Sequence, residues 1–270
     1  MLSGPFGTGP DAAAYVLALA IALSLWRLLW WGRRLPDGPS APTLLVGHRG
    51  ARGVEPENTL AAFRRAFDEG LDGVEFDVQR SLDGVLVLTH DDEVDGRPVA
   101  GQSYAEIAGR IPGLATLDEL FELARSYPGR LLNLEIKARG WRTAGLERDV
   151  VRAIGASGLA GRVLVSSFNP LSLLKVRLRD PSLRVAWLYD ESTVAVPWAR
   201  PRPGWLHADA VHPRYALADA ALVRAMHARG VAVNVWTVND PEDMRRLGGL
   251  GVDAIMGDDP GTLRTSSVGG

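Results

Sequence analysis

The run GVEFDV, Gly73 to Val78, alternates with period two, which predicts a β-strand. Glu75 and Asp77 share one face of it, and Val74, Phe76 and Val78 share the other. Two carboxylates on the inward face repel each other unless a cation neutralises them. Ion pairing with nearby arginines is the plainer explanation, and a bound divalent cation the better one. Further along, NLEIK repeats the pattern, with Asn133, Glu135 and Lys137 on one face and Leu132, Leu134 and Ile136 on the other. Working outward, short β-type runs fall at Leu44 to Gly47, Gly73 to Val78, Leu131 to Ile136, Val163 to Ser166, Val185 to Tyr189, Ala210 to His212, Val231 to Trp236 and Ala254 to Met256. Amphipathic stretches such as Leu60 to Glu69 and Leu217 to Arg229 separate them. Eight strand–helix units predict an α/β fold, a (β/α)8 TIM barrel, with a doubly wound open sheet as the alternative. Asp83-Gly84 is a tight-turn signal, so Val85 to Leu88 reads as a small hairpin arm rather than a ninth barrel strand.

A chain of 270 residues, 46% hydrophobic, suffices for one large domain. Its net charge of -2 gives no electrostatic case for a nucleic-acid partner. With no cysteine, any metal must be held by oxygen or imidazole.

The first residues differ from the rest. Ala12 to Trp31 is apolar except for Arg27, and Arg33 and Arg34 follow, which predicts residues 1–34 as an N-terminal membrane anchor with one transmembrane helix in the lipid bilayer. The basic residues on its C-terminal side predict that the domain beyond it is cytoplasmic. A cleaved signal peptide, and hence export, is the rival, as is an interfacial helix. Residues 35–42 (LPDGPSAP) form a linker, 43–264 the barrel domain and 265–270 a disordered tail.

In such a barrel, strand C-terminal ends converge on one mouth. His48 ends the first strand and His90 the hairpin arm, and both are suited to proton transfer near neutral pH. Glu75, Asp77 and Glu135 form a three-carboxylate set whose oxygen donors favour Mg2+, Ca2+ or Mn2+ over zinc. Lys137 offers a point charge to a phosphate, or else pairs with a core carboxylate. His227 reads as an ordinary helix residue, and His212 as either a pocket wall or strand-end packing.

These residues resemble the glycerophosphodiester phosphodiesterase family, whose barrels are similar to those of phosphatidylinositol-specific phospholipases C. The matching segments are HRG at His48 to Gly50, PENT at Pro56 to Thr59, EFDV at Glu75 to Val78, DGVLVLTHD at Asp83 to Asp91, TLDEL at Thr116 to Leu120, LEIK at Leu134 to Lys137, SSF at Ser166 to Phe168, VWTVN at Val235 to Asn239 and GVDAIMGDDP at Gly251 to Pro260. The resemblance implies a metal-dependent hydrolase that splits a glycerophosphodiester into sn-glycerol 3-phosphate and an alcohol. It implies His48 and His90 as acid and base in undetermined order, Glu75, Asp77 and Glu135 as metal ligands, and Arg49 and Lys137 on phosphate oxygens. Asn58 and Thr59 suit a helix cap or a loop-fixing hydrogen bond. Trp236 packs against substrate glycerol or simply belongs to the core.

The chain departs from the family pattern in two places. The segment after His90 is short, and Gly257 stands where threonine is usual before Asp-x-Pro. A Trp- and Arg-containing loop, with Trp198, Arg200, Arg202 and Trp205, reads as a Pro-stiffened lid or as a contact for a membrane or lysophospholipid substrate. Other classes left open are a non-catalytic barrel that binds a phosphorylated head group and a phospholipase D acting on sphingolipid.

Overall fold

The computed structural model describes residues 12–30, 42–138, 140, 143–195 and 206–267. The chain divides into two compact units, residues 1–33 and 34–270. In the first lies helix α1 (Ala12–Trp30). Among the described residues no helix is long and apolar enough to cross a membrane, so the expected transmembrane helix is not supported. At ~1.5 Å per residue such a helix falls just short of a ~30 Å hydrocarbon core. In addition, Arg27 interrupts its last turn.

The second unit runs β1 (Leu44–Gly47), α2 (Leu60–Asp68), β2 (Gly73–Arg80), β3 (Leu86–Leu88), β4 (Glu93–Val94), β5 (Arg97–Pro98), α3 (Tyr104–Ala108), α4 (Leu117–Arg125) and β6 (Leu131–Ile136). It continues through α5 (Leu146–Ser157), β7 (Val163–Ser167), α6 (Pro170–Arg179), β8 (Arg184–Tyr189), α7 (Glu191–Ala195) and β9 (Ala210–Pro213). It ends with α8 (Ala220–His227), β10 (Ala232–Val235), α9 (Pro241–Gly249), β11 (Ala254–Gly257) and α10 (Pro260–Ser267).

The sheet closes. β1 pairs in parallel with both β11 (Val46 opposite Met256) and β2 (Val46 opposite Gly73), and β2, β6, β7, β8, β9, β10 and β11 follow in order. Closure excludes the open doubly wound sheet, because every barrel strand is paired on both edges. β3 lies antiparallel on β2 as the predicted arm (Val78 opposite Leu88).

The alternation seen in the sequence sets what each face does. Val74, Phe76 and Val78 are buried in the large core between strands and helices, where Phe63 of α2 meets Phe76 edge-on at 5.9 Å between ring centres. Leu132, Leu134 and Ile136 occupy the same layer. Leu134 is fully buried, so Leu134→Ala should destabilise the fold by about 2–5 kcal/mol, read from denaturant unfolding. Leu164, Ala186, Ala210 and Ala232 form one smaller buried cluster, and Val46, Ala254 and Met256 another.

Several helices begin at a side-chain cap just past a strand's C-terminal end. Thr59 accepts from the Ala62 amide, Asn169 from Leu171, Asp219 from Leu222 and Asp240 from Glu242. These caps fix the angle at which each strand gives way to its loop, and so the aim of residues at the mouth.

Three details differ from the sequence reading. β10 is confined to Ala232–Val235, which leaves Val231 and Trp236 outside it. The short segment after His90 is folded: β4, β5 and α3 bury Val87, Val94, Val99, Ile107 and Leu114 together. α10 runs to Ser267, so residues 265–267 of the expected disordered tail are helical and 268–270 lie outside the described residues. Trp198, Arg200, Arg202 and Trp205 also lie outside them.

Candidate active site

β2 and β6 are paired with Asp77 opposite Glu135 and Glu75 opposite Asn133. Because inward positions stay in step across a parallel pair, Asp77 and Glu135 share a level, Glu75 lies one inward step from them, and three carboxylates from two strands come together. Each of Glu75, Asp77 and Glu135 offers an oxygen within 4.8 Å of the others, and all three are buried. Burial, followed by the negative charges of Asp77 and Glu135, holds the Glu75 carboxyl well above the usual carboxylate range. Burial and then Asp77 push Glu135 up to about 7, against the nearby Lys137. A set so costly to ionise in isolation fits a hard divalent cation, and its all-oxygen donors suit Mg2+, Ca2+ or Mn2+.

The raised values carry a sign. Both groups bind protons more readily folded than unfolded, so their contribution to stability is intact below about pH 4.3, the ordinary glutamate value. It is lost as pH rises toward about 7, where Glu135 ionises. The melting temperature of metal-free protein should therefore fall between about pH 5 and about pH 8, and millimolar Mg2+ should raise it more at the higher pH. Scanning calorimetry with and without chelator checks this.

Two cations rim the carboxylates. Lys137 Nζ lies 3.1 Å from Glu135 Oε1 and 3.5 Å from Asp77 Oδ1. Arg49 Nε lies 3.3 Å from Asp77 Oδ2, and its terminal nitrogen donates to both Glu57 oxygens at 2.8 and 2.9 Å. The Arg49 backbone sits at φ 50° and its amide donates to Glu75 Oε2 at 2.9 Å. Asn58, at φ 57°, is similarly bent: its Nδ2 donates to Asp77 Oδ2 at 2.9 Å and its Oδ1 accepts from the Asp77 amide at 3.2 Å. Left-handed backbone at two non-glycine positions costs of order 1 kcal/mol each and persists where surrounding bonds demand it. Here those bonds aim Glu75 and Asp77. Thr59 is thus the helix cap and Asn58 the brace behind the carboxylates. Asn58→Ala should weaken divalent-metal binding about 10- to 100-fold with a small stability change, measured by calorimetric titration.

His48 stands beside this cluster, its Nε2 3.9 Å from Glu75 Oε2 and its Nδ1 2.7 Å from Asp258 Oδ1. Burial is the largest influence on the ring and keeps it below the ordinary imidazole value, although the Asp258 hydrogen bond pulls the other way. His90 is more open, with its Nδ1 2.9 Å from Asp91 Oδ1. Its loop is tied to β2 by Gln79, two residues beyond Asp77, whose Nε2 donates to the carbonyls of Thr89 at 3.1 Å and Asp91 at 2.7 Å. The Thr89 amide donates to the Asp77 carbonyl at 3.2 Å.

Trp236 donates from Nε1 to the His212 carbonyl at 2.8 Å and meets Phe168 edge-on at 5.4 Å. It is part-buried, while Phe168 is exposed. No bond links this aromatic pair to the carboxylates among the described residues. His212 itself is fully buried, accepts from Asn234 Nδ2 at 2.9 Å, and is pushed by burial down to about 3, so it is a neutral packing residue. His227 ends α8, bonded to Asp253. Asp258, Asn239, Glu57 and Gln79 were missed by the sequence reading. Gln79 continues the inward alternation of Glu75 and Asp77, and the other three lie within the matching segments without being singled out.

The profile of the glycerophosphoryl diester phosphodiesterase family matches residues 48–126 and 133–262, which include every residue of this cluster. The chain belongs to that family. A glycerophosphodiester phosphodiesterase of Caldanaerobacter subterraneus subsp. tengcongensis is 38% identical over 241 residues, covering 82% of this chain and 96% of that protein. Among solved structures, a phosphodiesterase of Oleispira antarctica in complex with its product sn-glycerol-3-phosphate has a TM-score of 0.71 at 27% identity, covering 83% and 96% of the two chains. A glycerophosphodiester phosphodiesterase of Parabacteroides distasonis has a TM-score of 0.72 at 26% identity, with coverage of 83% and 96%. As a glycerophosphodiester phosphodiesterase, the protein is a phosphoric diester hydrolase. The Gly257 departure from the family pattern has a local cause: a Cβ there would lie 2.6 Å from the Val238 carbonyl oxygen and 3.0 Å from Leu263 Cδ2.

Proposed function

We propose that the protein hydrolyses glycerophosphodiesters to sn-glycerol 3-phosphate and an alcohol by acid–base catalysis between His48 and His90, with a divalent metal held by Glu75, Asp77 and Glu135. The observation that carries this is the buried carboxylate triad flanked by two cations and a histidine. The product bound by the Oleispira antarctica protein supports the same substrate class.

His48 is the deeper histidine, with a side chain 12% exposed against 36% for His90. The base is accordingly assigned to His48 and the acid, toward the departing alcohol at the mouth, to His90. His48 takes the proton of the glycerol 2-hydroxyl, whose oxygen bonds to phosphorus as the bond to the alcohol breaks, and His90 protonates that alcohol. Water then adds to the phosphorus of the cyclic phosphate and loses a proton to His90 as the bond from phosphorus to the 2-oxygen breaks, and His48 returns its proton to that oxygen. Arg49 and Lys137 hold the phosphate oxygens and offset the charge that builds on them. When bound, the divalent ion adds positive charge to the same oxygens.

Helix α1 exposes Tyr15, Val16, Leu17 and Leu19. We propose it as the contact with the cytoplasmic face of a lipid bilayer, where the basic Arg33 and Arg34 that follow it in the sequence suit anionic lipid. Protease accessibility in intact cells tests the placement: cleavage of the barrel from outside would reverse it.

A panel of glycerophosphocholine, glycerophosphoethanolamine, lysophosphatidylcholine and sphingomyelin, with the full chain and Mg2+, Ca2+ or Mn2+, tests the substrate. Glycerol 3-phosphate from the first two is the expected product. Turnover of the lysolipid alone would move the assignment to a lysophospholipase D, and turnover of none would remove it.

A further inference from the structure

The loops after β10 and β11 converge on His48 from the far end of the sequence. Asp258 Oδ1 lies 2.7 Å from His48 Nδ1, while its Oδ2 accepts from Asn239 Nδ2 at 2.7 Å. Asn239 Oδ1 in turn accepts from the Asp258 amide at 2.9 Å. The pair thus forms a closed two-bond ring that leaves the Asp258 carboxylate little rotational freedom. A further charged neighbour is Arg52, whose Nε is 3.7 Å from Oδ1. Backbone bonds hold the same strands together: the His48 amide donates to the Gly257 carbonyl at 2.8 Å and the Val238 amide to that of Met256 at 2.9 Å. Gly257 lets β11 approach this closely, as its missing Cβ would strike the Val238 oxygen.

From this geometry we infer that Asp258, braced by Asn239, is the positioning residue of His48: it accepts the Nδ1 proton, fixes the ring plane and leaves Nε2 as the lone-pair nitrogen on the side of Glu75. An imidazole with one nitrogen engaged by a fixed carboxylate is held in one tautomer. Without it the ring can rotate or carry its proton on Nε2, where it cannot act as a base. The inference rests on the proposed role of His48 as base. It adds two residues, Asp258 and Asn239, that touch neither the carboxylate triad nor the two cations.

The test combines kinetics with a measurement that does not depend on turnover. Asp258→Asn should lower kcat for glycerophosphocholine about 100-fold or more with KM changed by less than about threefold, and leave Mg2+ affinity and melting temperature near those of the parent. In that variant the amide either sets its nitrogen against the Asn239 amide nitrogen, which breaks the ring of bonds, or turns that nitrogen to His48 Nδ1, which favours the Nε2-protonated tautomer. Exchanging the pair, Asp258→Asn with Asn239→Asp, restores every hydrogen bond with the charge one residue further out, and should recover about tenfold of the lost kcat. Nitrogen-15 NMR of the imidazoles, with His48→Gln assigning the signal, should show His48 protonated on Nδ1 in the parent and mixed or Nε2-protonated in Asp258→Asn. A parent His48 protonated on Nε2 overturns the inference whatever the substrate proves to be. So does an Asp258→Asn variant with kcat within twofold or with lost metal affinity, and a pair exchange no better than Asp258→Asn removes Asn239 from the brace. Should the parent turn over no diester while its His48 signal is as expected, the substrate reading fails and the positioning stands.

Discussion

His48→Ala is expected to lower kcat for glycerol 3-phosphate release roughly a thousandfold, with a modest effect on KM and no loss of metal binding. General-base catalysis by a positioned histidine is typically worth about 10²- to 10⁴-fold. This one is seated by bonds from ring and backbone, so no neighbouring group substitutes for it: its Nδ1 is on Asp258 and its amide on the Gly257 carbonyl. The carboxylate triad needs nothing from the ring, since Glu75 is aimed by the Arg49 amide and Asp77 by Asn58. Steady-state kinetics beside a calorimetric metal titration checks both halves. A variant that lost metal binding along with activity would place His48 among the ligands instead.

Asp77→Asn should have the other large effect. Asp77 is the hub of the cluster, within 3.3 Å of Arg49, 3.5 Å of Lys137 and 2.9 Å of Asn58. On the proposed reading, taking its charge away removes a metal ligand and leaves the cations Arg49 and Lys137 without their shared counter-ion. Divalent-metal affinity should fall more than about 100-fold, beyond the loss expected from a bracing residue. Activity should fall at least as far, with no recovery at higher metal concentration. The rise in melting temperature that Mg2+ gives the parent should vanish in the variant, because stabilisation by a ligand requires that the folded state bind it. Thermal unfolding with and without Mg2+ reads this directly.

How far the sequence disclosed the site depended on whether residues were neighbours along one strand. Glu75 and Asp77 betray their face by period two, and Asn133, Glu135 and Lys137 repeat it, so the carboxylates and Lys137 could be picked out before their pairing was seen. The eight-strand barrel was read from a different alternation, that of β-type runs with amphipathic helical stretches. Asp258 could not be reached in this way. It sits 210 residues from His48, and an aspartate after a strand reads equally well as a helix cap. Asn239 is one of several polar residues in a turn, and only closure of β11 onto β1 brings it to the first strand. Glu57 and Asn58 lie in the PENT motif, yet their split, one to the Arg49 guanidinium and the other to Asp77, depends on two left-handed backbone turns that no periodicity announces. The membrane-spanning reading of Ala12 to Trp31 rested on length, apolarity and the basic residues that follow, and there Arg27 and a marginal length weigh against a crossing.

The requirement proposed for diester hydrolysis is a divalent cation in the Glu75, Asp77 and Glu135 cluster. Its most direct measurement is enzyme-coupled detection of glycerol 3-phosphate from glycerophosphocholine by the full chain, before chelation, after it, and after Mg2+, Ca2+ or Mn2+ is returned. Release, its abolition by chelator, and recovery with at least one of the three ions are the predicted results. Release that continues undiminished in protein shown to be metal-free would contradict the claim.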